Sequence, residues 1–253
     1  MTVSALLDRI NVINIEGNPS CEITSVVTDS RKLAEDCFFL CIVGANFDGH
    51  SALGEAVKKG AAAVLVQEGI DISAVRDTLR KNGVVIVTVR DTREAMGPVA
   101  AAWFGHPAEK LKTIGITGTK GKTTTTYLVK SMLESAGHRC GLVGTIEIIT
   151  GKRTIASKNT TPESYALQEY FAEMVESGCD TVVMEVSSQG VAAERHAGLA
   201  FSVGVFTHLT RDHLDFHGDM ERYYLAKRRF FEEALLPGGA LMAGSDAWSA
   251  RLV

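Results

Sequence analysis

The chain has 253 residues, of which 45% are hydrophobic and 22% are charged, with 26 Lys and Arg residues against 30 Asp and Glu residues. The formal net charge of −4 argues against nucleic-acid binding through a broad basic face, and the apolar content argues against a disordered chain. The five cysteines form no C-x-x-C pair, no apolar run reaches the roughly 20 residues of a membrane helix, and the N-terminus has no secretory signal. We therefore expect a cytoplasmic protein with reduced thiols and no membrane or nucleic-acid partner.

Short apolar runs alternate with stretches of helical spacing, a pattern that is typical of α/β architecture. In the first part of the chain this pattern predicts strands at 37–43, 61–66 and 84–89, and helices at 51–59, 72–81 and 92–103. Gly105, His106 and Pro107 end the last of these helices. We therefore predict a small N-terminal α/β domain over residues 1–107.

The second predicted domain covers residues 108–253. Strands are expected at 113–117, 140–148, 181–186, 202–207 and 240–243, with helices from a glycine-rich turn to residue 135, at 163–177 and at 220–235. Strands separated by helices of this length favour a mostly parallel sheet with right-handed crossovers. Because the chain stops soon after a predicted strand, we expect this domain to be incomplete.

The strongest local signal is a run of glycine, lysine and threonine between a predicted strand and a predicted helix: Gly118, Thr119, Lys120, Gly121, Lys122, Thr123 and Thr124. Glycines allow successive backbone N–H groups to face one anion, and a helix N-terminus favours negative charge. Lys122 can reach the β- and γ-phosphates of ATP, and the Thr123 hydroxyl can bind Mg²⁺. Ile116 occupies the place of the first glycine of the strict P-loop pattern, so only the shorter form is present. The alternative interpretation is a glycine-rich turn with incidental lysines.

Three further side chains are candidates for the chemistry. Glu185 ends an apolar run, so a strand would deliver its carboxylate to the edge of the sheet where α/β proteins bind ligands; it could instead cap a helix or lie on the surface. His213 lies between Asp212 and Asp215, although a lone histidine is more often an ordinary structural residue. Composition alone makes Lys227 one solvated cation in a basic helix.

Seven segments in chain order resemble the Mur ligase family of peptidoglycan synthesis, and they resemble most its MurE type, which adds the third residue of the stem peptide. They are 28–31 (TDSR), 44–49 (GANFDG), 118–124 (GTKGKTT), 159–162 (NTTP), 184–188 (MEVSS), 210–218 (TRDHLDFHG) and 224–227 (YLAK). The resemblance implies an N-terminal domain for the uridine nucleotide, a central P-loop type ATPase domain and a C-terminal domain. This chain covers the first and most of the second, so the resemblance implies a truncated ligase whose own activity is open.

The resemblance also implies the reaction, an ATP-dependent formation of an amide through an acyl phosphate, which belongs to cell-wall biogenesis and thereby to cell shape and cell division. Two Mg²⁺ ions would offset the charge of the triphosphate and the substrate carboxylate. The implied catalytic residues are Lys122, Glu185, His213 and Lys227, and the implied metal ligands are Thr123, Glu185, His213 and Lys227. In this family Lys227 would carry CO₂ as a carbamate, which requires a neutral amine, although an ordinary lysine with a pKa of about 10.4 is almost entirely protonated at neutral pH.

For the substrate UDP-N-acetylmuramoyl-L-alanyl-D-glutamate, the resemblance implies one residue in the first domain and five in the second: Ser30, Asn159, Thr160, Thr161, Ser187 and Arg195. Hydroxyl and amide groups suit diphosphate and peptide hydrogen bonding, and Arg195 suits a carboxylate. The NTTP segment could instead cap a helix that starts near Pro162. His208 departs from the family pattern, which commonly has Asn there, and Ala193 lies where some family members carry Gln.

Three interpretations therefore remain open. The first is an ATP-dependent ligase, expected to be monomeric, that joins an amino acid to the UDP-sugar dipeptide. The second is a related Mur-type or folylpolyglutamate-type ligase. The 28–31 segment argues against the folylpolyglutamate type. The third is a noncatalytic module that binds the UDP-sugar peptide and ATP. The incoming amino acid (diaminopimelate, lysine or another) is not determined by the sequence.

Overall fold

The computed structural model describes residues 1–44 and 47–252, which form two compact units, Met1–Trp103 and Phe104–Val253. Residues 45 and 46, which belong to the predicted 44–49 segment, lie outside the described residues. Each unit contains its own sheet, and both sheets are mostly parallel. The prediction of an α/β fold is therefore confirmed for both parts of the chain.

The first unit contains a five-stranded sheet and four α-helices in the part of the chain that is described. In chain order these are α1 (Val3–Leu6), β1 (Val12–Glu16), β2 (Ser25–Val27), β3 (Cys37–Leu40), α2 (Leu53–Lys58), β4 (Ala63–Gln67), α3 (Ser73–Lys81), β5 (Val85–Val89) and α4 (Thr92–Trp103). Short 3₁₀ helices span Ser30–Lys32 and Gly49–Ala52. The strand order is β1-β5-β4-β3-β2, and only the edge strand β1 is antiparallel to its neighbour.

The core of the first unit lies around the three central strands that the apolar runs predict. All four residues of β3 are buried, as are the first four of β4, because helices cover parallel strands on their faces. The predicted helix at 51–59 begins as the 3₁₀ turn and continues as α2. Strands β1 and β2 were not predicted.

The second unit contains a seven-stranded sheet. Its elements are β6 (Lys112–Thr117), α5 (Lys122–Ser135), β7 (Cys140–Val143), β8 (Glu147–Ile149), β9 (Thr154–Ala156), α6 (Ser164–Glu176), β10 (Thr181–Glu185), α7 (Ser188–Ala192), β11 (Phe201–Phe206), α8 (Leu214–His217), α9 (Met220–Ala234) and β12 (Leu235–Ala243). Short 3₁₀ helices span Pro107–Lys110 and Ser249–Arg251. The strand order is β12-β11-β6-β10-β7-β8-β9.

The register of this sheet brings three strand ends together. Strands β10 and β11 flank β6 in parallel, so that Glu185 pairs with Ile116 and Phe206 pairs with Thr117. The carboxyl ends of all three strands therefore meet at one edge, which is where open α/β sheets bind ligands. The phosphate loop follows β6, Glu185 ends β10, and His213 follows β11.

The predicted strand at 140–148 is wrong as a single element. The structure divides it into β7 and β8, which pair antiparallel, with a turn that contains Gly144 and Thr145. The Glu185 carboxylate lies against this turn, so close that a Cβ atom at Gly144 would be 2.6 Å from Glu185 Oε1. The other predicted strands and helices of this unit are confirmed, with ends shifted by a few residues; β12 begins earlier than expected.

None of the helices in the described residues has both the length and the apolar character that a bilayer span requires. The cysteines of this part of the chain are free thiols, and Cys37, Cys41 and Cys140 are buried.

Candidate functional site

The predicted phosphate loop connects β6 to the first turn of α5, a helix of 14 residues. Gly118 and Gly121 have positive φ angles of 142° and 83°, conformations that L side chains rarely adopt. A side chain at Gly118 would also overlap Thr207 Oγ1. Both glycines are therefore required for the course of the backbone, which leads directly into a helix N-terminus that favours an anion.

A second segment of the chain holds the phosphate loop in place. Thr207 Oγ1 donates to the Lys120 carbonyl (2.8 Å), and the Thr119 N–H donates to the His208 carbonyl (2.8 Å). The Thr210 N–H and the Tyr223 hydroxyl both donate to Thr119 Oγ1, at 3.0 and 3.2 Å. The loop is thus fixed before any ligand binds. Sequence reasoning missed Thr207, Thr210 and Tyr223 in this role.

Two lysines point their amines at one carbonyl oxygen of the loop. Lys122 Nζ lies 3.0 Å from the carbonyl oxygens of both Gly118 and Thr119, and Lys227 Nζ lies 2.8 Å from the Gly118 oxygen. Burial lowers the pKa of Lys122. Lys227 is 1% exposed, and burial, followed by the nearby Lys122 charge, lowers its pKa well below the usual value for lysine. The interpretation of Lys227 as a solvated cation is therefore wrong, because α9 turns this residue into the core.

Glu185 is 1% exposed at the end of β10, and three donors surround its carboxylate. Thr123 Oγ1 donates to Oε2 (2.9 Å), the Thr145 N–H donates to Oε1 (2.8 Å) and Thr145 Oγ1 donates to Oε2 (3.1 Å). The alternative interpretation of Glu185 as a helix cap or a surface group is therefore wrong. Thr145 was not predicted; the Gly144-Thr145 pair inside an apolar run was the signal that could have indicated a turn here.

The pair formed by Thr123 and Glu185 fits a Mg²⁺ ion. Both offer hard oxygen atoms, they lie 2.9 Å apart, and Thr123 lies in the first turn of the helix that follows the phosphate loop. An ion that contacts both groups would also be next to a triphosphate on the loop, as in P-loop proteins.

His213 is less closely connected to this pair than the sequence suggested. Its backbone has a positive φ of 50°, its side chain is 44% exposed, and its Nδ1 lies 3.9 Å from Asp212 Oδ1. Its ring packs edge-on against Tyr223, at 6.0 Å between centroids, and Lys227 Nζ lies 4.7 Å from the centre of the same Tyr223 ring. Among the described residues, no hydrogen bond or ion pair joins His213 to Glu185 or Lys227. Tyr223 is the common neighbour of His213 and Lys227.

Two of the residues predicted to contact the UDP-sugar peptide lie directly beside Glu185. Thr161 is fully buried and its hydroxyl donates to the Glu185 carbonyl (3.1 Å), while the Ser187 N–H donates to Thr161 Oγ1 (3.0 Å). Ser187 Oγ accepts from the Gly190 N–H and thereby caps α7. The alternative in which NTTP caps the next helix is wrong, because α6 begins at Ser164 and has no side-chain cap.

The remaining predicted peptide contacts lie around this pair. Thr160 Oγ1 is 3.0 Å from Thr145 Oγ1, and Asn159 is exposed. Arg195 donates from Nη1 to the Thr161 carbonyl (3.1 Å) and pairs with Glu163 (2.9 Å). The buried Nε of Arg195 has no hydrogen-bond partner in the described part of the chain. This guanidinium therefore keeps unused donor capacity next to the site.

In the first unit, Ser30 lines a cavity of about 480 Å³ together with Thr28, Asp29, Arg31 and Phe47. The Arg31 guanidinium and N–H bind the Asp29 carboxylate and lower its pKa to about 2. Phe47 is 56% exposed beside them. The cavity thus combines a fixed ion pair, a hydroxyl group and an exposed aromatic ring.

A parallel α/β sheet with a glycine-rich loop at a helix N-terminus, and with a carboxylate against the following threonine, is typical of proteins that carry a phosphate-binding loop. The comparisons with known proteins give the particular family. The Mur ligase middle domain matches residues 116–253, and the Mur ligase family catalytic domain matches residues 22–104. This chain belongs to the Mur ligase family.

Individual relatives agree with this assignment. The UDP-N-acetylmuramoyl-L-alanyl-D-glutamate--2,6-diaminopimelate ligase of Clostridium perfringens (strain 13 / Type A) is 44% identical over 234 residues, which are 92% of this chain and 47% of that protein. A solved structure with the same ligase name covers 100% of this chain and 49% of its own, at 22% identity and a TM-score of 0.75. The MurF ligase of Thermotoga maritima in complex with ADP covers 90% of this chain and 47% of its own, at 20% identity and a TM-score of 0.59. The chain spans about half the length of the curated relatives it matches.

Proposed function

We propose that this chain supplies the substrate-binding and ATP-binding parts of a ligase that adds the third amino acid to UDP-N-acetylmuramoyl-L-alanyl-D-glutamate. The observation that carries the proposal is the contact between Thr123 and Glu185 beside the phosphate loop. Membership of the Mur ligase family and the ligase names of the relatives support it. Those names favour 2,6-diaminopimelate as the incoming amino acid.

In the proposed reaction, a substrate carboxylate oxygen attacks the γ-phosphorus of ATP, and ADP leaves. The amine of the incoming amino acid then attacks the acyl carbonyl carbon, and phosphate leaves as the amide forms. Lys122 and the loop N–H groups orient the phosphates, while Thr123 and Glu185 hold Mg²⁺, with His213 and Lys227 as the proposed further ligands. Bound Mg²⁺ supplies positive charge that offsets repulsion between the two anionic reactants.

Lys227 is proposed to carry CO₂ as a carbamate. Its neutral amine would form a bond to the carbon of CO₂ and lose one proton, which turns a cationic side chain into an anionic oxygen ligand. Burial beside Lys122 supports the proposal, because both effects favour the neutral amine. A mass increase of one CO₂ on the peptide that contains Lys227 tests it, and a bare amine in a metal-loaded site would contradict it.

The substrate residues are assigned by unit. In the first unit, Ser30 and its cavity are proposed to bind the uridine diphosphate. In the second unit, the peptide part is assigned to five residues with hydroxyl, amide or guanidinium groups, of which Thr161 donates to the Glu185 carbonyl: Asn159, Thr160, Thr161, Ser187 and Arg195. The domain roles of 1–107 and 108–253, the cytoplasmic location and the monomeric state stay predictions.

Nucleotide binding by the chain tests the proposal without requiring turnover. Lys122→Ala should abolish binding of Mg²⁺-ATP in isothermal titration calorimetry, because it removes the side-chain cation that faces the Gly118 carbonyl from α5. Lys112→Ala is the matched control, since Lys112 is exposed at the opposite end of β6. Unchanged affinity in the Lys122 variant would remove the assignment of the loop.

A second candidate function is binding of the UDP-sugar peptide and ATP without ligation by this chain alone. The observation that favours it is that the cavity at Ser30 and the phosphate loop before α5 both lie within the described residues. Phosphate release that depends on both the UDP-sugar dipeptide and diaminopimelate would identify a ligase. Binding of both ligands with no phosphate release would identify the binding module.

A further inference from the structure

The turn between β7 and β8 is built around the carboxylate of Glu185. At Gly144 a Cβ atom would lie 2.6 Å from Glu185 Oε1, so only glycine permits this approach. Thr145 then offers two donors to the same group, its N–H to Oε1 at 2.8 Å and its hydroxyl to Oε2 at 3.1 Å. Each carboxylate oxygen therefore receives one hydrogen bond from a single residue, which fixes the rotation of the carboxylate.

The direction of the hydroxyl hydrogen bonds follows from these contacts. An ionised carboxylate only accepts, so Thr145 uses its one hydroxyl proton for Glu185. In the 3.0 Å contact between the hydroxyls of Thr145 and Thr160, Thr160 is then the donor. Thr123 donates to the other side of Oε2. A continuous chain of hydrogen bonds thus runs from Thr160 through Thr145 and Glu185 to Thr123.

This series of hydrogen bonds joins four separate parts of the second unit. Thr160 precedes α6, Thr145 follows β7, Glu185 ends β10, and Thr123 lies in the first turn of α5. Its two ends have been assigned to different ligands, the peptide substrate at Thr160 and the metal ion at Thr123. Thr145 connects them through side chains, because its hydroxyl contacts both the Thr160 hydroxyl and the Glu185 carboxylate.

We propose that Thr145 is a positioning residue for the divalent metal. It orients the Glu185 carboxylate toward Thr123, and through Thr160 it couples this orientation to the side of the site where the peptide binds. The proposal rests on the proposed function in one respect, namely that Glu185 and Thr123 bind the metal. Thr145 itself does not contact the ion.

The test measures Mn²⁺ affinity in the presence of ADP, by the electron paramagnetic resonance signal of free Mn²⁺. Thr145→Val removes the hydroxyl but keeps the backbone N–H. It should weaken Mn²⁺ binding at least about fivefold. This is less than the usual effect of a hydrogen bond to a charged group, because Thr145 is exposed. Thr145→Ser keeps the hydroxyl and should bind Mn²⁺ within about twofold of the wild type. ADP affinity without metal should be equal in all three proteins, because no hydrogen bond among the described residues joins Thr145 directly to the phosphate loop.

The possible outcomes separate the two proposals. If the wild type binds no Mn²⁺ with ADP present, the proposed metal site fails. If the wild type binds Mn²⁺ and Thr145→Val binds it equally well, the positioning role is overturned and the metal site stands. Parallel loss of metal-free ADP affinity and Mn²⁺ affinity would indicate a general structural defect and would also overturn the role. Should Thr145→Val fail to fold, Thr160→Val replaces it: weaker Mn²⁺ binding supports the coupling, and unchanged Mn²⁺ binding overturns it.

Discussion

Replacing Lys227 with methionine should change the pH dependence of stability in a calculable way. The amine is buried, and no carboxylate of the described residues lies within ion-pair distance of it. Its pKa is therefore lowered in the folded chain, chiefly by burial and then by Lys122, and only Asp212 acts in the opposite direction. In the unfolded chain the pKa returns to about 10.4.

The direction in which stability changes with pH follows from the number of protons that each state binds. Between the lowered folded pKa and about 10.4, the unfolded chain binds a proton at Lys227 that the folded chain does not bind, so stability rises with pH by about 1.4 kcal/mol per unit. Below the folded pKa both states are protonated and the slope vanishes; above about 10.4 both are neutral. Methionine is apolar and of similar length, so Lys227→Met removes this slope while it largely keeps the packing.

Guanidinium unfolding of both proteins between about pH 7.5 and 9.5, without CO₂, metal or nucleotide, provides the measurement. The stability difference between Lys227→Met and the wild type should shrink as pH rises. Lys122, whose pKa is also lowered, is present in both proteins, so most of its effect cancels. The exposed Lys112→Met is the control and should give a constant difference. A constant difference for Lys227→Met as well would refute the reasoning.

Two glycines of β6 and the phosphate loop give the remaining predictions. Gly115→Ala should destabilise the chain by about 1–3 kcal/mol in chemical unfolding, because its Cβ would lie 2.5 Å from Phe230 Cζ and 2.8 Å from Phe201 Cδ1. Adding Phe230→Leu should then cost less than the sum of the two single changes, and simple additivity would contradict the packing argument. Gly118→Ala should lower ADP affinity at least about tenfold, and Thr207→Ala should not restore it, since the positive φ of Gly118 remains strained for alanine; full restoration in calorimetry would show that the overlap with Thr207 is the whole effect.

The buried strands could be predicted from the sequence because their apolar runs are local. Strands β3, β4, β5, β6 and β10 all follow from such runs. Strand β1 was missed because it is an edge strand with three exposed residues in its centre, and β2 has only three residues. The run at 140–148 was read as one strand because the Gly144-Thr145 pair is only a weak turn signal inside an apolar run, and the carboxylate that approaches Gly144 lies 41 residues later in the sequence.

The candidate site also contains residues that could be predicted from the sequence and residues that could not. The phosphate loop is contiguous, so its residues, its glycines and its position before α5 could be predicted. The residues that hold it come from elsewhere in the chain: Thr207 follows β11, and Tyr223 lies in α9. Nothing in the local surroundings of these two residues distinguishes them from other threonine and tyrosine residues. The burial of Lys227 could not be predicted either, since Arg228 and Arg229 follow it in sequence and only the tertiary packing of α9 buries it.

Lys122 and Lys227 both donate to the Gly118 carbonyl oxygen, and this shared contact links their proposed roles. Without nucleotide, Lys122 satisfies its donors on the Gly118 and Thr119 carbonyl oxygens, and Lys227 uses the Gly118 oxygen as well. Two ammonium groups on one acceptor repel each other, and burial, followed by the nearby Lys122 charge, lowers the pKa of Lys227 well below the usual value for lysine. A triphosphate on the loop would draw Lys122 toward its oxygens and reduce the charge that acts on Lys227. Nucleotide binding should therefore raise the pKa of Lys227, which means that a carbamate on this residue forms more readily before the nucleotide binds than after it.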